Sequence, residues 1–215
     1  MTTPIPSQLT PPGGWRGPGR VRLGPLTASE SSLGQRVLSS VTVRIGRVNA
    51  ANLFLMLLRN VRLFWPWLMF AKKMMPYGEL PRRDTELAIL RVGWNCRSRY
   101  EWGQHVDIGL RAGVTPDDIA RVAQGPAAAG WEPHLRAVLS ACDEIHRDQM
   151  IAEDTWLVLS SHYDEKRLLE LVLLINHYQM LAGVLISTGL ELDDDLEAVL
   201  AAAPIHHQNH QERTA

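Results

Sequence analysis

Residues 80–119 read LPRRDTELAILRVGWNCRSRYEWGQHVDIGLRAGVTPDDI, a pattern that predicts a helical hairpin followed by the start of a third helix. Pro81 stands at a first-turn position before a helix over 82–94, where its missing N–H is no loss. A second helix is predicted over 98–113, because the terminal glycine supplies a stop. The run 115–118, Thr-Pro-Asp-Asp, combines a cap, a first-turn proline and acidic residues at the positive end of a helix dipole.

The rest of the chain is also helical in pattern from about Ser29 onward, without convincing runs of period-two alternation. Val37, Val41 and Val48 recur on one helical face and favour an amphipathic helix, although the β-branched run 41–45 also allows a short strand. We therefore expect an all-α fold.

The C-terminal half contains three more predicted helices, over 134–150, 154–162 and 164–188. In the last of these, Asp164 is the cap and Gly189 the stop. Its centre, 168–175, is apolar nearly all round, and such a helix should be buried on all faces. We expect either a central helix or a subunit interface, and therefore an oligomeric protein.

The composition excludes several classes of protein. The 215 residues carry 22 Lys+Arg and 23 Asp+Glu, so no charge excess indicates a nucleic-acid partner. Cys96 and Cys142 are the only cysteines, which excludes a disulfide framework, favours a reducing, cytoplasmic compartment, and leaves no cluster for a zinc knuckle or an iron–sulfur centre. We expect no metal site.

Both ends of the chain differ from the body. Residues 1–27 hold six Pro and five Gly, which disfavour helices and central strands, and we expect a flexible arm that can drape on the body. This arm lacks the apolar stretch of a secretory signal. Residues 28–203 are predicted to form a single helical domain, and 204–215 a solvated tail with His206, His207 and His210.

The most apolar region is 52–75, and a membrane span is the first alternative to consider. Arg59 and Arg62 fall in its middle, where each would cost about 3 kcal/mol in a bilayer. Pro66 interrupts the second half. Two buried or interface helices are the preferred interpretation, with no membrane span; a pair of helices lying against a membrane is the alternative.

Three polar positions in the hairpin suggest chemistry. Glu86 lies on an apolar stripe, where burial would raise the pKa of its carboxyl, although it could equally be a helix-start residue favouring the dipole. Ser98, Glu101 and His105 form a second stripe. Ser98 and Glu101 also match a capping box, which would explain both without chemistry. His105, one turn beyond Glu101, could be catalytic or structural.

With these residues in view, 80–119 resembles the core of the carboxymuconolactone decarboxylase family, within the superfamily of alkylhydroperoxidase D-like peroxidases. The segment 168–193 resembles the family's C-terminal helix. With 52–75, the resemblance covers roughly 140 residues. It implies an all-helical alkylhydroperoxidase D-like bundle whose protomers form trimers, or hexamers built from dimers or trimers.

The redox branch of that superfamily carries a Glu, a CxxC pair and a His, with three residues between the second Cys and the His. Glu86 and His105 match the outer members of this motif, but Ser98 and Glu101 stand where the cysteines would be. Peroxide reduction needs a reactive thiolate and a resolving thiol, so the chain resembles the branch that lacks CxxC. By that resemblance His105 is the catalytic acid/base, Glu86 orients it or relays protons, and Glu101 is a second carboxylate at the pocket.

Further residues are candidates for binding a substrate. A decarboxylase must hold an anionic carboxylate, for which Arg91 and Arg99 are candidates. Nearby aromatic residues suggest a less polar ligand, although most could simply be packing. His177 could line the pocket or be structural. The predicted substrate-binding set is Ser98, Tyr100, Trp102, Arg91 and His177.

Three functional hypotheses remain. The first is a cofactor-free, non-redox enzyme, of lyase or isomerase type, in which His105 transfers protons on a hydrophobic carbonyl, lactone or carboxylate compound. The second is a non-catalytic binding or structural oligomer, in which Glu86 and His105 merely hold the hairpin together. The third is a thiol peroxidase, which would have to use Cys96.

Overall fold

The computed structural model describes residues 9–46 and 50–196, and it contains helices without strands over those ranges. The all-α prediction is confirmed, and the β-branched run 41–45 belongs to a helix. The helices are α1 Leu33–Gly46, α2 Ala51–Leu57, α3 Val61–Met74, α4 Arg82–Cys96, α5 Arg99–Arg111, α6 Pro116–Gln124, α7 Pro133–Asp148, α8 Glu153–His162 and α9 Glu165–Thr188.

The centre of the fold is α4, which packs against α5, α6, α7 and α9. Every residue of α4 from Asp84 to Leu90 is buried, including the carboxylates. Within the protomer α9 is not buried on all faces, and burial of its outer face in a subunit interface stays a prediction. Its Leu169 and Leu173 are 61% and 41% exposed, because one face of α9 packs on α4 while the other faces outward from the protomer.

Local capping signals set several helix boundaries as predicted. Thr115 and Asp118 form a capping box at the start of α6. The Asp164 side chain accepts a hydrogen bond from Arg167 N at 2.9 Å and begins α9. Gly189 ends that helix with φ +68°, a left-handed conformation that glycine adopts without steric cost.

The apolar segment breaks at a different place from the predicted one. Pro66 lies inside α3, and the interruption comes at a 3₁₀ turn, Leu58–Asn60. There the Arg59 side chain donates to Gly24 O at 2.8 Å, and Asn60 Oδ1 accepts from Leu63 N to begin α3. A capped turn thus stops one helix and starts the next.

Two helical stretches are long and apolar enough to cross a membrane by length and composition, Ala51–Met74 and Glu165–Thr188. Both contribute to the packed fold. The core helix of a globular protein passes the same test, so the finding is weak evidence for a span.

The described part of the N-terminal arm, from residue 9 to 27, drapes on the body and is held there. Trp15 packs edge-on against Trp94, with ring centroids 5.9 Å apart. Arg16 N donates to Arg97 O at 2.9 Å, and Arg22 N donates to Thr188 O at 2.7 Å. These backbone hydrogen bonds hold the arm on the body, although its Pro and Gly residues prevent regular secondary structure. The predicted tail at 204–215 lies outside the described residues.

Candidate active site

A cavity of about 330 Å³ has α5 and α9 on one side and α1, α2 and α3 on the other. Most of its surface is apolar. The lining residues from α1, α2 and α3 include Leu38, Val41, Leu53, Phe54, Trp65, Trp67, Leu68 and Ala71. The polar side chains that reach it come mainly from α5 and α9.

A buried ion-pair chain supports the polar side of the cavity. His105 lines the cavity, and its Nδ1 lies 2.7 Å from Glu86 Oε2. Glu86 is fully buried, and its other oxygen lies 2.8 Å from Arg82 Nη2. With Nδ1–H donating to this carboxylate, Nε2 is the ring nitrogen available to a ligand.

The ring of Tyr178 closes the other side of His105. The two rings meet edge to face with centroids 5.0 Å apart. Burial, followed by the charge of Glu86, raises the pKa of Tyr178 well above its usual value, so this phenol stays neutral. Tyr178 therefore fixes the position of the imidazole without adding charge.

Glu101 is the second buried carboxyl at the cavity. It is 2% exposed, and neither of its oxygens has a hydrogen-bond partner within the described part of the chain. Burial raises the pKa of Glu101 well above its usual value, because nothing compensates the charged form. Burial therefore favours the protonated form of this carboxyl, which faces an apolar space.

The capping box expected between Ser98 and Glu101 is not formed. Ser98 is the N-cap of α5, but its side chain makes no capping bond and its hydroxyl is buried without a partner. Glu101 lines the cavity instead of reaching back to the cap. Ser98 does not line this cavity, so its predicted role as a substrate contact has no support in the geometry.

Tyr100 lines the cavity, but its hydroxyl is engaged elsewhere. It donates to Asp193 Oδ2 at 2.9 Å and accepts from Leu53 N at 3.2 Å. Gln104 also donates to Asp193 Oδ2, at 3.1 Å. This network ties α5 to α2 and to the segment after α9, so Tyr100 offers a ligand its ring more readily than its hydroxyl.

His177 is placed where the pocket hypothesis put it. It lines the cavity and stacks on Trp67 with ring centroids 6.0 Å apart and an interplanar angle of 24°. Burial lowers the pKa of His177 to about 4, so the ring is neutral above that pH. His177 thus offers a ligand a neutral imidazole from α9.

Two other predicted binding residues lie away from the cavity. Arg91 forms a two-point ion pair with Asp143, Nε to Oδ1 at 2.6 Å and Nη2 to Oδ2 at 2.8 Å. Its charge is therefore satisfied inside the protomer. Trp102 packs between Trp94 and Trp15. The sequence reasoning in turn missed Lys72, which lines the cavity on α3 and carries a positive charge.

Both cysteines are buried thiols away from the cavity. Burial raises the pKa of Cys96 to about 12, and it raises the pKa of Cys142 as well. The nearest polar contact of Cys96 is His146 Nδ1, at 3.7 Å from Sγ. Neither cysteine has the lowered pKa that marks a reactive thiolate.

One group of side chains in the described ranges could hold a metal ion. Asp84, His134 and His162 each offer a ligand atom, and these atoms lie within 4.8 Å of one another. None of the three lines the cavity, so this group is separate from the acid/base residues.

Comparisons with known proteins identify the fold. Residues 62–144 match the model of the carboxymuconolactone decarboxylase family. No curated protein sequence matches the chain. The solved structure of the debrominase Bmp8 in complex with 2,3,4-tribromopyrrole has a TM-score of 0.69 and 14% identity, over 84% of this chain and 96% of that chain.

Two peroxidase-related proteins of uncharacterized function are also similar. The first, from Ralstonia eutropha JMP134, has an alkylhydroperoxidase AhpD core and a TM-score of 0.68 at 15% identity, over 81% of this chain and 94% of that one. The second, from Silicibacter, has a TM-score of 0.63 at 13% identity, over 76% and 86%. The chain thus has the alkylhydroperoxidase D-like fold, and its residues 62–144 are similar to the carboxymuconolactone decarboxylase family.

Proposed function

We propose that this chain is a cofactor-free, non-redox enzyme of lyase or isomerase type that moves protons on a hydrophobic carbonyl, lactone or carboxylate compound. The observation that carries the proposal is that the buried carboxyl of Glu101 and the imidazole of His105 both reach a single apolar cavity, with Glu86 holding His105 from behind. Glu101 has no hydrogen-bond partner in the described chain, and its burial favours the protonated form. Base and acid are thus present together.

His105 is the proposed base. When His105 Nδ1–H donates a hydrogen bond to Glu86, the Nε2 lone pair can remove a proton from the carbon next to a substrate carbonyl. The imidazolium that forms is stabilised by the carboxylate 2.7 Å away. Arg82 contacts the other oxygen of that carboxylate, and Glu86 positions His105 and balances its charge.

Glu101 is the proposed acid. As the substrate loses its proton, the electron pair moves onto the carbonyl oxygen, and the protonated carboxyl can donate to that oxygen. Return of a proton from His105 to a different carbon gives an isomer and restores both groups. Where the substrate carries a β-carboxylate, loss of CO₂ supplies the same electron pair, the carbon then takes the proton of Glu101, and Glu101 regains a proton from water.

The lining favours a small, largely apolar substrate. Lys72 is the permanently charged cation among the described lining residues, and Arg91 is already paired with Asp143. A neutral ketone or lactone therefore suits the cavity better than a polyanion. Bmp8 shares the fold and binds 2,3,4-tribromopyrrole, a small planar apolar molecule, which supports a ligand of this kind.

The test measures proton exchange on model compounds, so the natural substrate need not be known. Apolar ketones and lactones are incubated with the protein in D₂O, and deuterium uptake next to the carbonyl is followed by mass spectrometry. We expect His105→Gln to reduce the exchange rate by about 10²- to 10⁴-fold. His146→Gln is the matched control, because His146 is a helical histidine outside the cavity. Exchange that persists at the full rate in His105→Gln would refute the proposal.

A binding or structural role is the second candidate, and the full burial of Glu86 favours it. A paired Glu86–His105–Arg82 chain can hold α4 to α5 without chemistry. In that case His105→Gln lowers the melting temperature, 2,3,4-tribromopyrrole still binds to the wild type by calorimetry, and no compound of the panel exchanges deuterium. A thiol peroxidase is a third and weaker candidate, excluded if thiol-dependent peroxide consumption is absent or survives Cys96→Ser.

We further propose that protomers self-associate in the cytoplasm, as trimers or as hexamers of dimers or trimers, around small-molecule sites. The exposed apolar face of α9 supports this, with Leu169, Leu173 and Met180 at 61%, 41% and 49% exposure. Two free cysteines suit a reducing compartment. Light scattering after size exclusion should show an oligomer that Leu169→Glu with Leu173→Glu converts to smaller species; a wild-type monomer contradicts the proposal.

A further inference from the structure

We propose that Asp84, His134 and His162 form a binding site for a divalent transition-metal ion such as Zn²⁺, separate from the acid/base cavity. The three residues come from different elements. Asp84 is in the first turn of α4, His134 in the first turn of α7, and His162 is the last residue of α8. The fold therefore brings together two imidazoles and a carboxylate that are far apart in the sequence, a donor set that suits such ions.

The positions of the donor atoms suit a single ion. The possible ligand atoms lie within 4.8 Å of one another, and His134 Nε2 is 3.8 Å from Asp84 Oδ2. The two imidazoles lie nearly parallel, with centroids 3.9 Å apart. In tetrahedral zinc sites, ligand atoms are about 3.3 Å apart, given metal–nitrogen distances of about 2.0–2.1 Å. Because a ligand nitrogen binds in the plane of its ring, the exposed His162 must turn out of the stack for both imidazoles to bind one ion at that spacing.

Neighbouring groups orient two of the three ligands. The Tyr163 hydroxyl donates to Asp84 Oδ2 at 2.6 Å and fixes the carboxylate. Glu132 Oε2 lies 3.6 Å from His134 Nδ1, on the opposite side of the ring from Asp84. A carboxylate behind a metal-ligating histidine fixes its tautomer and raises its basicity, which is the usual arrangement at zinc sites.

Burial also favours a cation at this position. Asp84 is 6% exposed, and a carboxylate removed from water is normally paired or bound to a metal. With His162 exposed, a fourth coordination position faces solvent and can hold water.

The test uses the full chain with metal ions alone. Because His206, His207 and His210 in the tail could bind metal themselves, all proteins carry the substitutions His206→Gln, His207→Gln and His210→Gln. Calorimetry with Zn²⁺, and visible absorption with Co²⁺, should then give one site per chain. Zn²⁺ should also raise the melting temperature, because the ion ties α4, α7 and α8 together.

Variants assign the site to these residues. We expect His134→Ala and His162→Ala each to weaken Zn²⁺ binding by at least about 100-fold, and Glu132→Gln by up to about tenfold. His162 and Glu132 are exposed, so their variants should fold even if His134→Ala does not. His146→Ala is the control and should bind as the parent does. Absent binding, binding unchanged in His162→Ala, or binding lost in His146→Ala would each overturn the proposal.

Discussion

The two walls of the cavity differ in what they contribute. The wall made by α5 and α9 carries the buried carboxyl of Glu101 and the imidazole of His105, which Glu86 of α4 holds from behind. The wall made by α1 and α3 presents mainly apolar side chains and Lys72. The first wall can do chemistry, and the second can only select a ligand by size and polarity.

Glu86 and Glu101 show how the polar wall is built. Both are almost completely buried, but Glu86 contacts Arg82 and His105, whereas Glu101 contacts no hydrogen-bonding group in the described chain. The first has charged partners, and desolvation favours the protonated form of the second. Two identical side chains can thus act as counter-ion and as proton donor because their surroundings differ.

The largest expected effect comes from removing the proposed acid, Glu101, from the polar wall. Glu101→Gln keeps the shape of the side chain but cannot release a proton, so we expect the exchange rate to fall by about 10²-fold or more with little change in KM. Asp107→Asn is the matched control, since Asp107 lies on the same helix but pairs with Arg111 on the outer side. Equal losses in both variants would assign the effect to the helix rather than to the acid.

The boundaries of the helices were largely predictable from the sequence, because capping is local. Thr115 with Asp118, and Asp164 with Gly189, act through residues within one turn of the helix end. The contacts that hold residues 9–27 of the N-terminal arm on the body were not predictable. They depend on Trp15 packing against two tryptophans about eighty residues away. Proline and glycine content indicates lack of regular structure, not lack of packing.

The chemistry of the site was only partly predictable. The stripe of Glu101 and His105 was visible, but the same spacing also allowed a cap with Ser98, and only the cavity decides between them. Arg91 was available in sequence, but Asp143, fifty-two residues later, engages it. Apolar residues of α1 and α3 have the same pattern whether they fill a core or line a cavity.

The second prediction concerns the tryptophan packing that supports α4 and α5. Trp15 packs on Trp94 of α4 and Trp102 of α5, so Trp15→Ala should lower the free energy of unfolding by about 2–3 kcal/mol, below the full range for a completely buried Trp. Denaturant unfolding measures this. The control Trp156→Ala, at a 37% exposed position on α8, should cost less than about 1 kcal/mol. Equal costs would mean that the arm does not support the wall.

The third effect tests the apolar wall. Ala71→Phe places a ring in the cavity, so we expect KM, or the Kd of a bound apolar probe, to rise about tenfold, which corresponds to about 1.4 kcal/mol. Because Ala71 does not touch the ion pair of Glu86 and His105, kcat should change little. Lys73→Phe adds the same ring at an exposed neighbouring position and should leave binding unchanged. A fall in kcat alone would show that the two walls are not separable.

The smallest effect concerns the charge state of Glu101. Its pKa is raised in the fold by burial, so between the unfolded pKa of about 4.3 and the folded pKa the native state holds a proton that the unfolded state has lost. The free energy of unfolding attributable to Glu101 is therefore greatest below about pH 4.3. It declines as pH rises toward the folded pKa, with a slope of at most about 1.4 kcal/mol per pH unit.

Glu101→Gln removes this term, because an amide does not titrate. We expect the free energy of unfolding of the wild type, relative to the variant, to fall steadily as denaturant unfolding is repeated from pH 4 upward. Parallel curves would mean that Glu101 titrates alike in both states, and a rising difference would mean that it is ionised in the fold. Either result would make Glu101 resemble Glu86 and would remove the proton donor from the polar wall, leaving His105 as its one titratable catalytic group.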